Sequence, residues 1–250
     1  MHLKLASMLL LGLLASTAAP AACDDPPAPQ VNWRECDKHG VNLQGVDLHG
    51  AILIRANLAG TDLQRANLSG ADLYFADLTG AKLDRGRLSR ARLLSANLRK
   101  ASIQRALMDG ARMDRARLEG VNLSGSRLRG ASLWQADLRG AVAGGTDFSG
   151  AELREADLSR ADLRKARFTE ATLERAVLEE CNLAGAELMR VSLDGARLAY
   201  ADLSGADLRE ASLVGSELFE TTFKEAKLGG AIWVDHQRCP LGAVGTCRQP

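Results

Sequence analysis

Residues 41–80 read VNLQG-VDLHG-AILIR-ANLAG-TDLQR-ANLSG-ADLYF-ADLTG, eight five-residue blocks with leucine in the middle of every one. Read outward, the same division runs from Val41 to Asp235 without an insertion, giving 39 blocks over 195 of the 250 residues. The third place is Leu in 31 blocks and otherwise Ile103, Met108, Met113, Ala143, Phe148, Phe168, Phe223 or Trp233. The first place is Ala in 28 blocks and otherwise Val, Thr, Gly, Ser or Cys, while the remaining places are mostly polar or Gly.

Few backbones suit this period. An α-helix turns 100° per residue, so side chains five apart drift about 140° per block and never share a face. A continuous strand alternates with period two, so an odd spacing sends successive leucines to opposite sides. Every leucine stays inside only if each block is a short extended piece followed by a corner. Four corners then close a 20-residue square coil, and coils stack at about 4.8 Å. This is a β-solenoid of about ten coils, a rod near 47 Å long. The first place must be small because it points inward beside the large third-place side chain. Cys181, a first-place residue in CNLAG, is therefore read as packing.

Tandem A(D/N)LXX blocks are the signature of pentapeptide-repeat proteins, which the chain resembles over Val41–Asp235. The resemblance implies an all-β fold, a right-handed quadrilateral β-helix with four blocks per turn. Cys23, the DPPAP stretch and VNWREC before the repeats, and IWVDHQRCPLGAVGTC after them, resemble the ends of exported members. The expected organisation is a signal peptide over 1–22, a leader and cap over 23–40, the β-helix over 41–235, and a cap or tail over 236–250.

Composition fits that reading. The hydrophobic share is 46%, but aromatics are only 4%, too few for an ordinary globular core and sufficient for stacked leucines. The net charge of +1 argues against a strongly basic nucleic-acid binder and against a strongly acidic decoy. Lys4, the apolar run Leu5–Leu14 and the small residues Ala15–Ala22 follow the plan of a secretory signal, too short to span a membrane permanently. Cysteine usage agrees with export: Cys23 with Cys36 and Cys239 with Cys247 would each close a short loop in an oxidising compartment. Cys23 also admits lipidation, since lipoprotein signals end in an acylated cysteine, although Pro20 departs from the usual residue three places earlier. The chain is then periplasmic or secreted, with membrane attachment only if Cys23 is lipidated.

Trp33 lies in register at a third place ahead of the repeats and Trp233 holds that place in the last block, so both are expected as lids over the open coil ends. Asp24–Gln30, with three prolines, reads as an extended leader. Ala141–Gly145 (AVAGG) lacks a large core side chain and is expected to kink or leave a cavity.

Two features stand out on the outside. Counting in twenties aligns Ile54, Tyr74, Leu94 and Trp134, with Asp114 interrupting, and Ile52 and Phe75 share that side. Such an apolar stripe marks contact with a partner or a second copy, unless the leader or a neighbouring coil shields it. Arg65, Arg85 and Arg105 align in another column, where like charges repel unless an anion or a neighbouring acid relieves them. Residues 81–140 hold 14 Lys/Arg against 5 Asp/Glu, and residues 141–235 hold 11 against 18, so a neutral total hides a basic middle and an acidic far half.

His2, His39, His49 and His236 form no metal-ligand or catalytic spacing, and no nucleophile-elbow or phosphate-loop motif occurs. No catalytic, cofactor or metal residue is nominated. The expected function is a non-enzymatic exported module, binding a protein or itself as a homodimer, with no nucleic acid. The alternative is the topoisomerase-binding DNA mimicry of some family members, from which the signal segment and near-neutral charge depart.

Overall fold

The computed structural model describes residues 22–247. The signal peptide expected over 1–22, apart from Ala22, and the last three residues of the expected tail lie outside the described residues.

From Asn32 to Ser212 every second-place residue forms a single-residue parallel bridge with the residue twenty positions on, in four columns that begin at Asn32, Asp37, Asn42 and Asp47. One of these columns runs from Asn32 through Ile52 and Asp72 to Ile232. Four blocks therefore complete one coil, and no helix occurs among the described residues. The rungs are regular: Leu53 N–H donates to Asp72 O at 2.7 Å, and Asp72 N–H donates to Ala51 O at 2.9 Å. At nearly every corner the next first-place N–H closes a β-turn, as Ala56 N–H does on Leu53 O at 3.1 Å, whereas Ala106 N–H donates to Ser126 Oγ instead.

The turn sets the backbone of the fifth place. From Gln30 to Gly230 every fifth residue is left-handed, with φ between 51° and 74°. Asp and Asn recur at the second place because they brace the turn that follows. Asn57 Oδ1 accepts Ala59 N–H at 3.2 Å and Asp157 Oδ1 accepts Ser159 N–H at 3.0 Å. The amide then links coils, as Asn67 Nδ2 donates to Asp47 Oδ1 and Asn97 Nδ2 to Asp77 Oδ1.

Third-place side chains fill the tube, nearly all without solvent exposure, and first-place Ala side chains pack beside them. Each buried leucine contributes about 1.5–3 kcal/mol. Where the first place is Thr or Ser, its hydroxyl donates to a third-place carbonyl 23 residues back, as Thr146 Oγ1 does on Leu123 O at 2.8 Å and Thr61 Oγ1 on Lys38 O at 2.9 Å. A small polar group thus replaces Ala without leaving an unpaired donor.

The expected kink at Ala141–Gly145 does not occur. Leu123 N–H reaches Val142 O at 2.7 Å and Ala143 N–H reaches Asp162 O at 2.8 Å, so the ladder runs straight through. Phe148, on the next side of the same coil, supplies bulk where Ala143 is small, and its ring stacks on Phe168 at 4.9 Å between centroids.

The coil begins earlier than the repeat pattern alone indicated. Val31–Glu35 and Cys36–Gly40 already bridge to the coil above, so residues 31–40 belong to the β-helix and the leader is confined to 22–30. The break in pattern is Lys38, a cation at a third place. It is accommodated at the open end, with Nζ donating to Cys23 O at 2.6 Å and lying 4.2 Å from the Trp33 ring centroid. Trp33 is fully buried, its Nε1 donates to Asp25 O at 3.2 Å, and Cys23 is bonded to Cys36. At the other end the tail folds back antiparallel, pairing Ile232 with Arg238 and Lys227 with Val244, and Cys239 is bonded to Cys247. Trp233 is only half-buried, tilted against Phe223 at 5.3 Å.

Candidate interaction surfaces

Second-, fourth- and fifth-place side chains point out of the tube, so the coil spacing turns each place into a column. The apolar stripe is assembled on one side, but unevenly. Ile52, Ile54, Leu94 and Trp134 are half-buried. Tyr74 and Phe75 form its open centre, 39% and 46% exposed, with ring centroids 4.3 Å apart. Arginines close on its edges: Arg55 lies 5.9 Å from the Phe75 ring and Arg115 lies 4.6 Å from the Trp134 ring while donating to Gln135 Oε1. Asp114, the interruption, accepts the Ser132 hydroxyl rather than facing a cation.

The structure adds a second aromatic pair that the column count did not indicate. Tyr200 and Phe219 are 55% and 61% exposed, near the far end, and meet edge to face at 5.4 Å. They occupy neighbouring columns, a fifth place and the fourth place one coil on, so counting down single columns separates them.

Some outward charges are compensated across one coil. Arg160 pairs with Glu180 at 3.1 Å and Arg190 with Glu170 at 2.7 Å, each across one coil. Arg139 bridges Asp137 and Glu119. Second- and fourth-place pairs do the same within one turn: Arg164 holds the Asp162 carboxyl below the usual carboxylate range by hydrogen bonding, and Arg209 does so for Asp207. At Asp137 burial pushes the carboxyl up, but the Arg139 hydrogen bonds outweigh it.

Arg65, Arg85 and Arg105 are the one place among the described residues where fifth-place cations follow one another on successive coils. They line one corner with Gln64, Asp84 and Gln104 around an open cleft of about 350 Å³. None of the three guanidinium groups makes an ion pair among the described residues. Asp84, the acid beside them, has its Oδ1 engaged by the Ser102 hydroxyl at 2.6 Å and the Gln104 N–H at 2.8 Å.

Cys181 is buried and free, and burial pushes its thiol up to about 12. Among the described residues no group of three or more His, Cys, Asp and Glu could hold a metal ion, and no helix is long and apolar enough to cross a membrane.

The family model described as Pentapeptide repeats matches in eight copies, over residues 42–74, 71–110, 96–135, 135–169, 166–209 and 196–232. No curated protein matches the chain. Among solved structures the chain is similar to HetL, a pentapeptide repeat protein involved in heterocyst differentiation regulation in the cyanobacterium Nostoc sp. strain PCC 7120. The two are 35% identical over 84% of this chain and 92% of that one, with a TM-score of 0.48. A pentapeptide repeat protein of the Arabidopsis thaliana thylakoid lumen is 34% identical over 40% of this chain and 69% of that one, with a TM-score of 0.38. QnrB1, a plasmid-mediated fluoroquinolone resistance protein, is 20% identical over 72% and 76%, with a TM-score of 0.41.

Proposed function

The chain belongs to the pentapeptide-repeat family, and from that membership we propose that it is a non-enzymatic, exported binding module, a right-handed quadrilateral rod of about ten coils that presents a rigid surface to a protein partner. The observation that carries this reading is the exposed Tyr74–Phe75 pair, set in an apolar stripe on a ladder that continues without an inserted loop. Aromatic side chains held on a rigid backbone lose little freedom on binding and make strong anchors. Two short-loop disulfides support an oxidising destination, periplasmic or extracellular. If Cys23 is bonded to Cys36 in the mature chain, it is not the lipid-bearing residue.

Crosslinking in intact cells followed by capture of the chain tests the proposal. Wild type is expected to recover a discrete protein partner or a second copy, and Tyr74→Ala with Phe75→Ala to lose it while melting unchanged. Equal recovery by the variant removes the stripe from the account. Fractionation separates this reading from DNA mimicry, because the acidic half beyond residue 141 could serve a topoisomerase only in the cytoplasm. Mature chain found with the cytoplasmic fraction overturns export.

A further inference from the structure

We propose that the corner formed by Arg65, Arg85 and Arg105 is a binding site for a linear anionic polysaccharide, separate from the aromatic stripe and independent of any protein partner.

At the other corners a fifth-place cation is either paired with an acid or set apart from any second cation in its column. Where Arg55, Arg160 or Arg190 occupies a fifth place, the residue one coil away is an acid that pairs with it. At this corner the residue one coil away is another arginine, twice in succession. The three positions share one left-handed turn, with φ of 58°, 58° and 54°, so the side chains leave the rod in parallel. The result is three cations in line, about 4.8 Å apart along the axis. Among the described residues none of the three is ion-paired, and the one carboxylate in the cleft, Asp84, offsets a single charge and turns Oδ1 to the Ser102 hydroxyl and the Gln104 backbone, so the corner keeps a surplus of positive charge.

The ligand class follows from the lining. A guanidinium fork matches a carboxylate or sulfate bidentately, which a point charge does not. Gln64 and Gln104 place amides in the same cleft, and amides donate to and accept from hydroxyl groups, the other chemistry of a sugar chain. A cleft that is open along the axis admits a chain and gives it several weak contacts at once, so affinity grows with length. Single-stranded nucleic acid is disfavoured because its sites combine cations with aromatic platforms for the bases, and none of the six lining residues is aromatic. The acidic half beyond residue 141 would also repel any polyanion that overran the ladder, which limits the footprint to the basic coils.

The experiment measures binding of the purified full chain to polygalacturonate, monomeric galacturonate, dextran sulfate, neutral dextran and a single-stranded oligonucleotide, at two salt concentrations. Wild type is expected to bind one or both anionic polysaccharides, more weakly as salt rises, and to ignore neutral dextran. Arg85→Gln is expected to lower affinity about tenfold or more, and the triple Gln variant to abolish it. Glutamine is tolerated in this turn, since Gln30 and Gln135 adopt it, and unchanged melting confirms the fold. Arg175→Gln, the same charge change on the acidic half, should leave affinity intact. The proposal is overturned by no polysaccharide binding, by equal loss in Arg175→Gln, by equal or tighter binding of the oligonucleotide, or by monomeric galacturonate matching the polymer per carboxylate. None of these outcomes bears on Tyr74 and Phe75.

Discussion

Single residues carry this fold through two local demands, a small inward side chain at the first place and a left-handed backbone at the fifth. Of the fifth-place residues from 30 to 230, 18 are Gly and 23 are not, and none is β-branched. A left-handed backbone costs a side-chain-bearing residue about 1–2 kcal/mol, and more when the β-carbon is branched. Gly60, with φ of 64° and open space where a β-carbon would project, isolates that cost from sterics. Gly60→Val is expected to lower stability by about 1–2 kcal/mol in denaturant melts, with Gly144→Ala, at a fourth place without positive φ, close to neutral. Cys181 makes a pH-dependent prediction. Its thiol is pushed up to about 12 by burial, so it stays neutral when folded, while the unfolded chain ionises near the ordinary thiol value. The unfolded state then binds fewer protons, and stability falls by up to about 1.4 kcal/mol per pH unit from about pH 9 towards 12. Cys181→Ala, which restores the residue of most first places, is expected to remove that slope in melts between pH 8 and 11. The packing role of Cys181 was legible because its place in the block is unambiguous. The Tyr200–Phe219 contact was not, since it joins two columns that the twenty-residue count keeps apart.

At the scale of one side of a coil, the rungs are short and the side chains around them supply the register. The Asx brace, the ion pair across a coil and the Arg–Asp pair within a turn recur at fixed places. Asp162 and Asp207 are held low by Arg164 and Arg209. The stability they add is present above the unfolded carboxylate value near 4 and is lost as pH falls through their lower folded values. Arg164→Gln is therefore expected to bring the Asp162 titration up towards 4 by NMR, and to shift acid unfolding to higher pH. The caps are the elements least legible beforehand. Their cysteines and tryptophans were visible, but the antiparallel return of the tail follows no period, and only contact with the last coil selects it. Gly229 records that contact, since a β-carbon there would lie 2.1 Å from Leu241 O. Gly229→Ala should displace the tail, raise protease cleavage near Leu241 and leave the middle coils ordered. Equal cleavage in the variant and wild type would mean that the tail does not close over this glycine.

For the whole molecule, a coil meets only its neighbours, so stability is nearly a sum of identical interfaces and the two ends set where opening begins. The repetition that made the architecture readable for most of the chain is uninformative at those ends, where the two directions of the ladder are closed by unlike segments. The tail supplies acceptors on two sides only: Leu228 N–H reaches Ala243 O at 2.9 Å and Gly230 N–H reaches Cys239 O at 3.2 Å on one, and Trp233 N–H reaches Gln237 O at 2.7 Å on the other. On the remaining sides, residues 216–225, the N–H groups of Leu218, Glu220, Phe223 and Glu225 have no acceptor among the described residues. Leu218 and Phe223 are correspondingly only half-buried where their counterparts one coil back are fully enclosed. Hydrogen exchange should resolve this asymmetry within a single turn of chain. Amides of Leu218, Glu220, Phe223 and Glu225 are expected to exchange with little protection, while Leu228 and Gly230, ten residues on and in the same final coil, exchange only as the tail opens. Leu198 and Leu203, one coil inward, should be slower still. Protection of 218–225 equal to that of 228–230 at high dilution would contradict the open edge. Protection that appears only as concentration rises would instead mean that a second copy supplies the missing acceptors, since an exposed strand edge is a template for pairing.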